Sequence, residues 1–202
     1  MTRWPVTLRH GDVALRPMKW SDSSAWREVR ARNTAWLREW EATLPAEAAA
    51  EGEVIPTFGQ MVRRMRHEAR AGRSLPWVLT VRDALAGQVT VGGISYGSLR
   101  SAYLGYWIDQ RQAGQGAMTM AVALASDYCL TSLRLHRLEL NIRPENAASL
   151  AVARKCGYRP EGERRAYLHI NGDWRDHVTY VLMAGEMPGG VVAHVIASDT
   201  PK

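Results

Sequence analysis

The sequence predicts an α+β fold, one sheet with helices on both faces. Three observations predict it. Residues 77–108 carry three strand-like runs separated by turn residues, residues 116–155 alternate helix, strand and helix, and residues 158–183 return to strand around Gly172. The 202 residues suit a single domain, read here as 1–186 with a C-terminal tail at 187–202. With 46% hydrophobic and 23% charged residues, the composition excludes a disordered chain. Two cysteines, Cys129 and Cys156, exclude a disulfide scaffold and a Cys-built metal cluster, so no metal is expected. No apolar run nears the roughly 18 residues of a membrane span. Residues 1–17 hold Arg3, Arg9, Asp12 and Arg16 in place of a signal peptide's apolar stretch. The expectation is a cytoplasmic protein with reduced thiols.

The elements follow in order. Val13 to Met18 alternates apolar and polar residues and reads as a strand. Ser21 or Asp22 offers an N-cap for a helix running to Trp40, with Trp26, Val29, Asn33 and Leu37 near one face. Pro45 to Pro56, rich in Ala and Glu, reads as an exposed connection. Phe58 to Ala71 forms a second helix that stops at Gly72. Trp77–Val81, Gln88–Ile94 and Ser101–Ile108 then form an antiparallel meander with a turn at 82–87. Gly92 and Gly93 suggest a bulge or a close backbone approach. Gly116 to Leu130 has helical spacing of Met120, Ala121, Leu124, Ala125 and Tyr128. His136–Ile142 is a strand and Asn146–Lys155 a short helix closed by Gly157. A strand region opens at Tyr158, and Val178–Met183 is the last strand.

The net charge is +6, carried almost wholly by arginine, since only Lys19, Lys155 and Lys202 are lysines. The densest cluster is Arg63, Arg64, Arg66, Arg70 and Arg73 at helical spacing. It reads either as a solvated helix face or as a surface for an acidic partner.

The most informative stretch is Arg111-Gln112-Ala113-Gly114-Gln115-Gly116-Ala117, set between a strand and a periodic helix. Two glycines two residues apart allow a tight loop whose backbone N–H groups face one way. The unpaired amides and positive dipole end of the helix start point the same way. The arrangement suits a pyrophosphate; equally, such turns use glycine for sharpness alone. No Lys-Ser/Thr follows, which excludes the nucleotide P-loop, and the Rossmann fingerprint lacks its third glycine.

A second motif joins it. Asn146-Ala147-Ala148-Ser149-Leu150-Ala151-Val152-Ala153-Arg154-Lys155-Cys156-Gly157-Tyr158-Arg159-Pro160-Glu161-Gly162 follows a strand. With it, the chain resembles the GCN5-related N-acetyltransferase superfamily. Arg111, Gly114 and Gly116 match that family's Q/R-x-x-G-x-G/A, which grips the coenzyme A pyrophosphate. The Asn146–Gly162 stretch, the turn Asn171-Gly172-Asp173-Trp174-Arg175-Asp176, and Asn33-Thr34-Ala35-Trp36-Leu37-Arg38-Glu39-Trp40-Glu41 resemble the RimJ/RimL-like branch, which acetylates ribosomal-protein N-termini. Together they span about residues 13 to 184. The resemblance implies a mixed, mostly antiparallel central sheet, acetyl-CoA as cosubstrate, and an acceptor that is a protein N-terminus or a small amine. It implies neither membrane nor sequence-specific nucleic acid as partner, and leaves a homodimer open. A small-amine acetyltransferase and a non-catalytic coenzyme A-binding module stand as alternatives.

Acetyl transfer from a thioester needs a neutral amine, a stabilised oxyanion and a proton for the departing thiolate. The resemblance implies that the strand before the loop parts from its neighbour, with Trp107 and Ile108 offering backbone groups to the pantetheine. Gln112, Ala113, Gly114, Gln115, Gly116 and Ala117 would cradle the diphosphate, with Arg111 adding charge. Asn146 reads as an N-cap and a pantetheine contact. Asn141 would reach the channel from its strand end. Ser149, one turn on, is expected near the sulfur, unless its hydroxyl bonds back to its own helix. Trp36, Trp40 and Glu41 would line the acceptor side. For the base, Glu41, Tyr167, His169 and Asp173 are candidates; relatives carry a carboxylate where this chain reads Ala166-Tyr167-Leu168-His169-Ile170. An α-amine is roughly one-seventh neutral at pH 7 and a lysine only about one part in 2,500, so a site without a strong base favours N-terminal amines. Cys129 and Cys156 sit among apolar neighbours and read as inert, which favours direct transfer in a ternary complex.

Overall fold

A computed structural model describes residues 4–49 and 56–199. The first strand pair is β1 (Leu8–His10) with β2 (Val13–Pro17), and β1 lies where no strand was expected because three residues give too short a pattern to read. Beyond a 3-10 turn at Trp20–Asp22, the expected single helix divides into α1 (Ser23–Arg32) and α2 (Thr34–Arg38). Asn33 makes the division. It is only 2% exposed, and its side-chain amide donates to the Val29 carbonyl at 2.7 Å and to Asp109 at 2.9 Å. Helix α2 stops at Arg38, so Trp36 and Trp40 do not share one helix.

Within the 45–56 connection Ala46–Ala49 forms one helical turn, α3; residues 50–55 lie outside the described residues. Helix α4 (Phe58–Arg70) begins at a capping box. Thr57 accepts from the Gln60 amide, and the Gln60 side chain accepts in return from the Thr57 amide. Of its arginine cluster, Arg63, Arg64 and Arg70 are exposed, as is Arg73 just beyond its end. Arg66 lies over the Trp20 ring and donates to the Met18 carbonyl.

The meander is β3 (Leu75–Val81), β4 (Ala84–Ser95) and β5 (Ser101–Ile108). The turn between β3 and β4 is only Arg82-Asp83, both at positive φ, which is the two-residue hairpin geometry; the wider turn expected at 82–87 is strand from Ala84. Gly92 and Gly93 mark a register shift and lie under the Tyr103 ring, where a Cβ would come within 3 Å of it. Helix α5 (Ala117–Asp127) runs into a π-turn at Tyr128–Ser132, followed by β6 (Arg137–Ile142) and α6 (Ala147–Lys155). Strands β7 (Arg159–Ile170) and β8 (Asp173–Met183) form a long hairpin. The last strand therefore begins five residues before the expected Val178.

The segment read as a tail contains α7 (Val191–Asp199). Asp127 caps it by accepting from the Val191 and Val192 amides, and Val191 and Val195 are buried in the core. Each such valine stabilises the fold by about 1.5–3 kcal/mol. A polar sequence end and a Pro-Gly-Gly turn hid a helix held mainly by tertiary contact.

The eight strands run in the order β1-β2-β3-β4-β5-β6-β8-β7, antiparallel except for the β5–β6 pair. One face, carrying Leu75, Trp77, Leu79, Val89, Val91, Leu104, Leu138, Leu140 and Leu182, packs with residues of α5, α6 and α7 to form the main core. On the other face α1 and α4 cover only the β2–β4 side, around Met18, Val29, Val62, Val78 and Leu85. On the neighbouring part of that face Tyr103 and Gly105 of β5 are exposed, whereas His177, Thr179 and Val181 of β8 are buried. Among the described residues no helix is long and apolar enough to cross a membrane.

Candidate active site

The site begins where the parallel pair β5–β6 ends. β5 and β6 pair at Ser101–Arg137, Ala102–Leu138 and Tyr103–Glu139, and no further. β5 continues to Ile108 against β4, with Ile108 opposite Gly87. Polar backbone groups of residues 104–108 on the β6 side therefore face a gap, and a buried backbone group without a partner is costly unless a ligand satisfies it.

After Ile108 the chain is anchored by Asp109, which is 3% exposed. Its carboxylate accepts from Arg32 (Nε 3.1 Å, Nη2 2.6 Å), from Asn33 at 2.9 Å and from the Arg111 amide at 3.3 Å. Asn33 Oδ1 accepts in turn from the Gln110 amide. Burial pushes the Asp109 carboxyl up, but the Arg32 and Asn33 hydrogen bonds, the Arg111 amide and the Arg32 charge together hold it below the usual carboxylate range.

This anchor sets the glycine turn. Gly114 and Gly116 both adopt positive φ, 75° and 79°, and a Cβ at either would meet no protein atom within 4 Å. Gly116 is the N-cap of α5 and offers no side-chain cap, so the first amides of the helix remain unpaired. They open on a cleft of about 590 Å³. Trp107, Ile108, Gln112, Ala113, Gly114, Gly116, Ala117, Asn146 and Ser149 line it, together with Trp36, Trp40 and Glu41. Three expected residues, Arg111, Gln115 and Asn141, are absent from the lining. Arg111 has its amide on Asp109, and Gln115 turns back to donate to the Arg111 carbonyl at 2.8 Å. The cleft fits the coenzyme: an uncapped helix start for a diphosphate, then an open strand edge for a polar chain.

At the far end Asn146 caps α6 by accepting from the Ser149 amide at 3.0 Å. The Tyr106 hydroxyl reaches the Ser149 carbonyl at 3.4 Å, and burial pushes that phenol well above its usual range. The Ser149 hydroxyl does not bond back to its helix; among the described residues it has no protein partner.

A second cavity, of about 370 Å³, lies between the ends of β5 and β6 and the β7–β8 hairpin. It shares Trp40, Glu41, Tyr106, Trp107, Asn146 and Ser149 with the first. Asn141 lines this second cavity and not the coenzyme cleft; its Oδ1 accepts from Thr179. The segment after α2 roofs the cavity. Ala42 bridges to Ile170, the Thr43 amide donates to the His169 carbonyl, and Arg143 donates to the Glu39 carbonyl while lying over the Trp40 ring. Both oxygens of Glu41 accept from Arg30, whose guanidinium lies 5.1 Å from the Trp107 ring centre.

Of the base candidates, Glu41 alone lines either of these two cavities. Tyr167 packs edge-on against His177, His169 pairs with Thr43 on the hairpin, and Asp173 is exposed. Sequence reasoning missed His177, which lines the second cavity and is 3% exposed. Its Nδ1–H donates to the Arg175 carbonyl at 3.0 Å. Burial pushes its imidazole below the usual histidine range; the carbonyl bond opposes this, Arg143 adds to it, and Glu145 and Asp176 oppose it. Its position on β8 was the available signal, hidden because the expected strand began at Val178, five residues after its true start and one past His177. Cys129 and Cys156 are buried thiols whose pKa burial pushes up, that of Cys156 to about 12. Among the described residues no His, Cys, Asp and Glu gather as a metal site.

Residues 12–159 match the acetyltransferase (GNAT) domain family. The [Ribosomal protein uS5]-alanine N-acetyltransferase of Escherichia coli (strain K12) is 30% identical over 174 residues, covering 84% of this chain and 87% of that protein. "Probable N-acetyltransferase YjcK" of Bacillus subtilis (strain 168) is 40% identical over 101 residues, a match that spans 50% of this chain and 56% of that one. Among solved structures, Mycobacterium smegmatis RimJ in complex with CoA-disulfide superposes with a TM-score of 0.89 at 35% identity, covering 96% of this chain and 95% of that one.

Proposed function

The chain belongs to the GNAT acetyltransferase family and is an acetyl-CoA-dependent N-acetyltransferase, and on that premise we propose that its acceptor is the N-terminal α-amine of a protein. A ribosomal protein is the proposed class, by likeness to the E. coli relative. The observation that carries the reading is the shared wall: one cleft fits the coenzyme, the other lies beside it between β5, β6 and the β7–β8 hairpin, and they meet at Ser149. Exposed Gly105 lines the second cavity and leaves room for a chain behind the amine.

In this mechanism the amides of Gly114, Gly116 and the first turn of α5 hold the diphosphate. The open edge of β5 at Trp107 and Ile108 aligns the pantetheine, with Asn146 fixing the start of α6. A backbone N–H of that edge faces the thioester oxygen as negative charge develops. Glu41, paired with Arg30, supplies negative charge that attracts an ammonium group, and Trp36 and Trp40 wall the approach. The amine attacks the thioester carbon directly, since the buried thiols hold no acyl group. The Ser149 hydroxyl gives its proton to the departing thiolate and is reprotonated from the nitrogen of the collapsing intermediate.

The test measures thiol release from acetyl-CoA with peptides of free N-terminus against polyamines and other small amines. Peptide kcat/KM at least tenfold above that of any small amine is expected. The reverse order would transfer the enzyme to small amines, and tight coenzyme binding with no turnover would leave only a binding module.

A further inference from the structure

Four titratable side chains line the acceptor cavity: Glu41, Tyr106, Arg143 and His177. Arginine stays charged under all working conditions. The Tyr106 phenol keeps its proton because it is buried. Glu41 has both oxygens on Arg30, an ion pair that protonation would break. His177 differs from these three. The Arg175 carbonyl can only accept, so Nδ1 carries the hydrogen, and the neutral ring then has its lone pair on Nε2. Among the described residues Nε2 has no protein hydrogen bond. His177 also stands one residue past the last β6–β8 pair, Ile142–Val178, at the point where β6 ends and the cavity opens.

We propose that His177 is the base of this enzyme, taking a proton through Nε2 from the acceptor ammonium, directly or across one water. The proposal rests on the N-acetyltransferase reading above. One proton passes from R–NH3+ to Nε2 and leaves through the open cavity to solvent. The amine lone pair forms the C–N bond, the C–S bond breaks, and the second amine proton reaches the sulfur by way of Ser149. Acetyl-CoA and the ammonium thus give the amide, free coenzyme thiol and one proton.

The surroundings keep the ring neutral at pH 7. Facing it are Asp176 on its own strand, Arg164 and the Tyr167 ring on β7, Arg143 and Glu145 after β6, and Glu41 across the cavity. Burial is the largest of these influences and favours the uncharged form. A base of this strength accepts readily from an α-amine near pKa ~7.8 and poorly from a lysine near ~10.4. His177 therefore also contributes to selection of the N-terminal amine.

The experiment compares parent, His177→Gln and His177→Asn, with coenzyme affinity and thermal melting as controls for folding. At pH 7 kcat/KM should fall about 10²-fold, a modest value for a positioned base. The acid limb of kcat/KM should move from below ~6.5 in the parent to the amine's own ~7.8 in the variants. Activity within about threefold of the parent overturns the proposal, as does a loss of rate with the acid limb unmoved, which would leave His177 a structural part. If the parent prefers small amines to peptides, the N-terminal reading falls separately, and the same limb measured with the preferred amine decides His177 by the same two outcomes.

Discussion

Replacing Gly116 by alanine tests the phosphate turn, because its structural and ligand-binding costs can be predicted separately. At φ 79° an L-residue is strained by about 1–2 kcal/mol. The reduced entropy of the unfolded alanine chain offsets about 0.4–1 kcal/mol of that. No protein atom lies within 4 Å of the added Cβ, so no clash adds to it. The net loss is about 1 kcal/mol, or roughly 2–4 °C in Tm for a chain of this size. Coenzyme binding should suffer more. The open space in front of Gly116 is where the diphosphate must approach to about 2.7–2.9 Å from the α5 amides. A methyl group there forces it back and weakens one charge-assisted hydrogen bond, worth about 1.5–3 kcal/mol. That is roughly a ten- to two-hundredfold rise in Kd for coenzyme A by calorimetry. A pantetheine fragment without the diphosphate should bind parent and variant alike. Unchanged coenzyme affinity alongside the expected small drop in Tm would refute the assignment of the turn.

Three further outcomes are expected. Ser149→Ala should lower kcat about ten- to a hundredfold while coenzyme affinity stays within twofold; kinetics equal to the parent's would make the hydroxyl structural. Asp109→Asn should reduce stability by about 2–3 kcal/mol in urea unfolding at pH 7 and also weaken coenzyme binding, since the carboxylate orients the loop. Because the folded Asp109 pKa lies below the unfolded one, its contribution is present above about pH 4 and is lost as pH falls through the folded value. The variant should therefore show a flatter acid dependence below that point, and equal slopes would remove the ion-pair account. With its pKa near 12, native Cys156 is thiolate to about one part in 10⁴ at pH 8, so iodoacetamide should label it only on unfolding; rapid native labelling would contradict the burial.

The coenzyme half of the site was legible in the sequence because its parts are local. A glycine turn, a helix start and an Asn N-cap each follow from a few consecutive residues, and Gly114, Gly116, Asn146 and Ser149 all reach the cleft. Arg111 and Gln115 lie outside the cleft lining, since the motif says nothing about where long side chains turn. The acceptor half is assembled from distant segments. His177 meets Glu41 and Ser149 only after β8 has paired with β6 and residues 42–43 have bridged to the β7–β8 hairpin. Helix α7 and strand β1 were missed for the same reason, since neither is long enough to show itself without the neighbour that covers it.

The junction of α1 and α2 links the two halves; the sequence marks it as a helix interior and as the start of the Asn33–Glu41 motif. Arg30 points to the acceptor wall, holding Glu41 and lying over Trp107. Arg32 and Asn33, two and three residues on, hold Asp109 and through it the phosphate turn. Consecutive residues on a helix diverge by about 100°, so one turn of α1 can address both substrates at once. The break lets the chain after α2 turn back over the acceptor cavity, where Ala42 meets Ile170. The buried Asn33 thus fixes the spacing between the two substrates, and a change there should raise KM for the acceptor and Kd for the coenzyme together, whereas a change at Gly116 should move only the second.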